Sequence, residues 1–166
     1  LTEYGIFISF KDNTSGNYDV YGQYIVYNGS LIFGSPGTAI ASGSGNQQSS
    51  NLAYTSNSDQ DEIFICYESS VGTETNIDCN EIDLSDQNQE VGDPIDISSH
   101  PYNQKNPFVY WSGHSFMIIW EDSRNTVTDP EQDIYFQEYK SGNFNFSTDD
   151  GQVITTFTQK QERPII

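Results

Sequence analysis

Hydrophobic residues in this chain fall in short runs separated by polar turns. The runs are Ile6-Phe-Ile-Ser-Phe10, Ile63-Phe-Ile-Cys-Tyr67, Phe108-Val-Tyr-Trp111, Phe116-Met-Ile-Ile-Trp120 and Ile134-Tyr-Phe136. β-Branched and aromatic residues dominate them, which suits a pleated, half-buried surface. Gly, Ser, Asn, Asp and Pro fill the gaps, the residues that close turns. No segment carries an apolar stripe of helical period over 11 or more residues. The pattern predicts an all-β chain of many short strands.

The runs recur at one spacing. Ile40, Ile97 and Ile154 lie 57 positions apart, as do Gln47, Gln104 and Gln161. The phrases Asp19-Val-Tyr-Gly-Gln23, Asn76-Ile-Asp-Cys-Asn80 and Asp133-Ile-Tyr-Phe-Gln137 hold the same interval. A fixed period of this size means repeated supersecondary units. Each unit predicts four strands. The first follows the Gln104-x-x-Pro107 phrase, from Phe108 to Trp111, and the second ends at Trp120. The third is Asp133 to Tyr139. The fourth is Gln152 to Phe157, with copies near Pro94 to Ile97 and Gly37 to Ile40. Four consecutive antiparallel strands per repeat describe a β-propeller blade. A β-sandwich would explain the strands but not the period. The chain is expected to be one domain of about three blades, with phrases at 1–46, 47–103 and 104–160, and with 161–166 opening a further blade.

The phrase Trp120-Glu-Asp122-Ser-Arg124, followed by Asp133-Ile-Tyr-x-Gln137, resembles the W-x-D-x-R … D-I-Y-x-Q repeat of TolB-like β-propellers and of tandem arrays in large secreted proteins. The first copy keeps Asp12, Asp19, Tyr21 and Gln23, with Phe10 for the Trp. The second has Tyr67, Ser69, Asn76, Asp78 and Asn80. The resemblance covers nearly the whole chain. It implies a propeller fold and a secreted protein, and its motif carries no catalytic residues.

Charge narrows the partners. The 166 residues hold 24 Asp+Glu against 6 Lys+Arg, a formal charge of −18. That argues against nucleic acid and anionic membranes as partners, and no run approaches the roughly 18 apolar residues of a membrane span. The chain starts at Leu1 in mid-pattern, with no initiator Met or signal segment, so a mature or excised piece of something longer is expected. Asp12, Asp19, Asp122 and Asp133 flank the predicted turns. They are read first as caps on turn N–H groups, with a calcium loop as the alternative and calcium as the sole candidate cofactor. Gln23, Gln47, Gln104, Gln137 and Gln161 are expected to bond neighbouring backbone.

Cys66 and Cys79 fall on facing positions of adjacent strands, where the other copies have Ser9 with Gly22 and Ile119 with Phe136. A disulfide is preferred there over two free thiols, and it would place the chain in an oxidising compartment. Asn13, Asn28 and Asn145 begin glycosylation sequons. His100 and His114 lie in turns without a metal-binding motif. Neighbouring acids such as Glu121 and Asp122 permit glycosidase chemistry in principle, and Tyr102, Tyr110 and Trp111 permit a carbohydrate-stacking platform. No nucleophile elbow or phosphate loop is present.

These features favour a non-enzymatic extracellular module with a structural, adhesive or self-assembly role. A secreted hydrolase fragment and a lectin-like propeller are the alternatives. Arg163-Pro164-Ile165-Ile166 matches Asn106-Pro107-Phe108-Val109, the start of a first strand. The expected partner of that terminal strand is another copy of the unit, in trans or in tandem, giving a ring or a head-to-tail filament.

Overall fold

The computed structural model describes residues 5–57, 60–84, 90–125, 132–146, 150–155, 157 and 159–165. Among these there is no helix, and twelve strands form three antiparallel sheets, none closed into a barrel. The first sheet has the order β1 (Gly5–Asp12), β2 (Asp19–Val26), β3 (Thr38–Ala41). The second runs β4 (Asn46–Asn57), β5 (Gln60–Val71), β6 (Glu74–Asp83), β7 (Ile95–Ser98). The third runs β8 (Gln104–Trp111), β9 (Phe116–Asp122), β10 (Asp133–Lys140), with β11 (Asn143–Phe144) and β12 (Gln152–Val153) both paired to β10. Consecutive strands pair in each sheet, through a tight turn at Val71–Glu74 and through longer connections such as that from Val26 to Thr38.

Alternation along the strands builds two cores. In β5, Ile63, Ile65 and Tyr67 face the first sheet and pack with Val20, Tyr24, Val26 and Ile40. Phe64 and Cys66 point the other way and pack with Phe116, Ile118, Trp120 and Tyr139 of the third sheet. The period of two thus makes the second sheet the filling between its neighbours. Phe64 stacks on Phe116 and Tyr139 at centroid distances of 4.5 and 5.1 Å. The sheets are also joined by polar bonds, including Val109 N–H to Asn51 Oδ1 at 2.9 Å.

Residues 57 positions apart hold corresponding places in this architecture. Ser49, Asn106 and Arg163 share a left-handed backbone, with φ of 53°, 53° and 58°. The first two sit in matching bulges, where the β4–β5 register shifts between Gln48 and Asn51 and the β8–β9 register between Lys105 and Phe108. Gly37 and Gly151 answer one packing demand. A Cβ on Gly37 would lie 2.6 Å from the Gly22 carbonyl oxygen, and one on Gly151 would lie 2.6 Å from that of Phe136 and 2.3 Å from the Trp120 ring. Both have positive φ, so only glycine fits without strain.

The predicted first strand begins earlier than expected, at the Gln itself, because the bulge lets pairing extend through Gln104 and Lys105. The predicted fourth strand of the third sheet is shorter, ending its ladder at Val153. Beyond it Ile154 N–H bonds Ile134 O of β10, and Gln161 N–H bonds Gln132 O just before β10, both at 2.7 Å.

Candidate functional site

The acidic turns come first. Asp12 and Asp19 are cross-strand partners, as are Asp122 and Asp133. Asp12 Oδ1 accepts the Thr14 N–H at 2.8 Å, and Asp122 Oδ1 accepts the Arg124 N–H at 2.8 Å, the same turn twice. Bonds from Thr14 hold the Asp12 carboxyl below its ordinary range. Asp122 also accepts Trp120 Nε1–H at 3.0 Å and an Arg124 guanidinium N–H at 2.6 Å. Asp133 Oδ2 accepts from Asn125 at 2.7 Å, and Asp19 Oδ2 from Ser15 Oγ–H at 2.6 Å. Each turn therefore holds its two carboxylates with neutral donors or Arg124. Among the described residues no group of three or more His, Cys, Asp or Glu is arranged to hold a metal ion.

The other predicted polar residues fall as follows. Gln104 Nε2–H donates to the carbonyls of His100 and Tyr102, at 3.0 and 2.9 Å. Gln161 donates to those of Phe157 and Gln159, each 57 positions on. In the first copy Asn17 takes over this role, donating to the carbonyls of Gly43 and Gly45. Gln23 and Gln137 bond the backbone of Gly34 and Phe146. Gln47 donates its backbone N–H to Tyr18 O, while its buried Oε1 meets no protein partner. Glu121 and Asp122 lie on opposite faces of β9, so their carboxylates diverge. Tyr102 and Tyr110 are about half exposed, and Trp111 leans on Phe116 at 4.9 Å.

Cys66 and Cys79 form a disulfide between directly facing residues of β5 and β6, with Cα atoms 4.0 Å apart. The expected counterparts also face each other, Ser9 with Gly22 and Ile119 with Phe136. Asn13 and Asn28 are exposed in turns. Asn145 is exposed too, but its amide donates to Glu138, beside a cleft of about 370 Å³ that His114 and Lys140 also line.

The two ends of the sheet series are the least covered apolar surfaces. The outer edge of β1 pairs with no strand among the described residues. Ile6 is 67% exposed where its counterpart Ile63 is 1%, and Ile8 is 42% exposed where Ile65 is 0%. At the other end, Ile154 is 54% exposed where Ile97 is fully buried. The segment around Arg163 lies over the third sheet. Arg163 N–H donates to Glu121 Oε1 at 2.7 Å, as Asn106 N–H donates to Glu68 Oε1 at 2.9 Å. Glu68 and Glu121 each follow the aromatic that ends the second strand. Each clamps a residue of left-handed backbone in a later segment of the chain. Ser49, Asn106 and Arg163 all line one open groove of about 600 Å³. Of the predicted terminal strand, Arg163, Pro164 and Ile165 are described and Ile166 lies outside the described residues.

The glutamate clamp is a feature that the sequence motifs did not reveal. Its signal was present, since Tyr67-Glu68 and Trp120-Glu121 repeat an aromatic–Glu step that Phe10-Lys11 breaks. A scan against family models and searches of curated proteins and of solved structures return no match to the chain. Among the described residues no helix is long and apolar enough to cross a membrane.

Proposed function

We propose that the three sheets are successive blades of a β-propeller of the TolB-like kind, and that the chain is a secreted, non-enzymatic module whose role is structural self-assembly. The observation that carries this reading is the residue trio Ser49, Asn106 and Arg163. All three share one backbone conformation, and the second and third also share the glutamate clamp. Residues 161–165 therefore have the backbone of a first strand that meets no second strand among the described residues, and β1 is a second strand that meets no first strand among them. A strand edge of this kind recruits pairing from another chain. The Cys66–Cys79 disulfide supports an oxidising, extracellular setting. Two copies joined head to tail bring together six sheets, within the usual range of closed propellers. A rotation that does not close gives a filament instead. Light scattering across a concentration series tests the reading. A mass that rises in steps of the 18.7 kDa chain supports it, and a constant single-chain mass up to millimolar concentration overturns it.

A further inference from the structure

The two complete first-strand pairings define what would fit the β1 edge. In the second sheet Gln47 faces Ser69, Gln48 faces Glu68 and Asn51 faces Cys66. In the third sheet Gln104 faces Asp122, Lys105 faces Glu121 and Phe108 faces Ile119. Moving the first strand on by 57 positions from the third sheet, and the second strand back by 57 from β5, sets Gln161 opposite Asp12, Glu162 opposite Lys11 and Ile165 opposite Ser9. At the middle of these positions the internal pairs are Gln–Glu and Lys–Glu. Gln48 Nε2–H donates to Glu68 Oε2 at 3.3 Å. At the unfilled seam the same position reads Glu–Lys, with the charges exchanged.

Resting on the self-assembly reading above, we propose that residues 161–165 of one copy pair antiparallel with β1 of a second copy, in the register fixed by an intermolecular Glu162–Lys11 pair. The exchange of sign gives the seam selectivity. Segment 161–165 would meet like charge if it displaced β8 on Glu121, and β8 of another copy would bring Lys105 against Lys11. Both of these pairings are disfavoured, whereas Glu162 meets the β1 edge with opposite charge. Both groups are exposed and available. Lys11 Nζ rests over the Tyr18 ring at 4.4 Å, and Glu162 pairs with the half-exposed Lys160. In a chain of charge −18, copies repel at long range, so local complementarity at one of the six basic residues carries weight. The same docking would cover Ile6 and Ile8, in the way the first sheet covers Ile63 and Ile65.

The test uses the full chain. Equal amounts of ¹⁴N- and ¹⁵N-labelled protein are mixed and joined with a zero-length carbodiimide, and the linked peptides are identified by mass. Lys11–Glu162 peptides of mixed isotope are expected. Sedimentation then compares the chain with K11E, E162K and the double variant, each first checked for an unchanged melting temperature. Each single variant is expected to weaken self-association about tenfold by opposing like charges across the ladder, and the double exchange to restore it. Self-association that ignores both single variants, or that the double exchange does not restore, overturns the register while leaving the assembly reading intact. Linked Lys11–Glu162 peptides of one isotope only mean that a copy closes on itself, and they overturn the intermolecular pair. A chain that stays single at every concentration overturns both.

Discussion

Asp122 carries three hydrogen bonds on one buried carboxylate, from Trp120, from the Arg124 backbone and from the Arg124 guanidinium. Arg124 in turn donates to Ser98 Oγ and the Asp150 carbonyl and lies 4.0 Å over the Tyr135 ring. Removing the carboxylate leaves a largely buried guanidinium without its counter-charge and an indole N–H without its acceptor. Asp122→Ala is therefore expected to cost about 3 kcal/mol of stability, read by denaturant unfolding. Because the donors already occupy these carboxylates, a chelator is expected to leave the melting temperature unchanged. A drop with chelator would restore the calcium reading of Asp12, Asp19, Asp122 and Asp133. The Asp positions were legible in the sequence because a turn cap needs one short acceptor at a set distance from the strand end. Arg124's reach to Asp150 was not, since it depends on how two distant turns stack. The cysteine pair was legible through its counterparts, which announce a facing pair by their sizes. Its replacement by two alanines is expected to cost about 3 kcal/mol, the entropy of a loop of this length in the chain-constraint model.

At the scale of elements, strands were legible where apolar residues alternate or cluster, and their ends were legible where the 57-residue period supplied three readings of each. The bulges were hidden. Ser49, Asn106 and Arg163 have different side chains, so composition does not mark the left-handed backbone that they share. The conformation is set by the ladder on either side and by the glutamate that bonds the second and third of them. A β-branched residue is disfavoured there by contact of its Cβ with the following carbonyl. Ser49→Val is expected to lower stability by about 1–2 kcal/mol, and Ser49→Gly to leave it unchanged or raise it. Equal costs for Val and Gly would mean that the serine side chain, which is two residues from Asn51 at the interface of the second and third sheets, matters more than its backbone.

At the scale of the whole molecule, the acidic surface is folded partly onto itself. Glu62 on β5 faces Asp83 on β6, and Glu81 lies two pairs along the same hairpin. Burial pushes the Glu62 carboxyl up, and the nearby Asp83 adds to this. Burial likewise raises Glu81, with Glu62 as the second cause, while its bond to Tyr139 works the other way. Asp78 is raised by burial and, to a lesser degree, by Asp96. The same surroundings lift the Tyr139 hydroxyl to about 12, so it stays a donor throughout the working range. Each raised carboxyl binds its proton more readily in the folded chain than in the unfolded one. Between the ordinary value, 4.5 for Glu and 3.8 for Asp, and the raised folded value, the folded state holds more protons. Stability therefore falls as pH rises through that window and recovers as pH is lowered into it. Asp12, Glu138 and Glu162 are shifted down and oppose this, but the first two are partly exposed and Glu162 is exposed, so solvent screens their share. The melting temperature is expected to rise on acidification from pH 8 toward 5. Replacing Glu62 and Glu81 together by Gln is expected to raise it at pH 8 and to flatten its pH dependence. A double variant with the slope of the parent would move the source of that slope away from this hairpin, to the self-repulsion of the −18 surface as a whole.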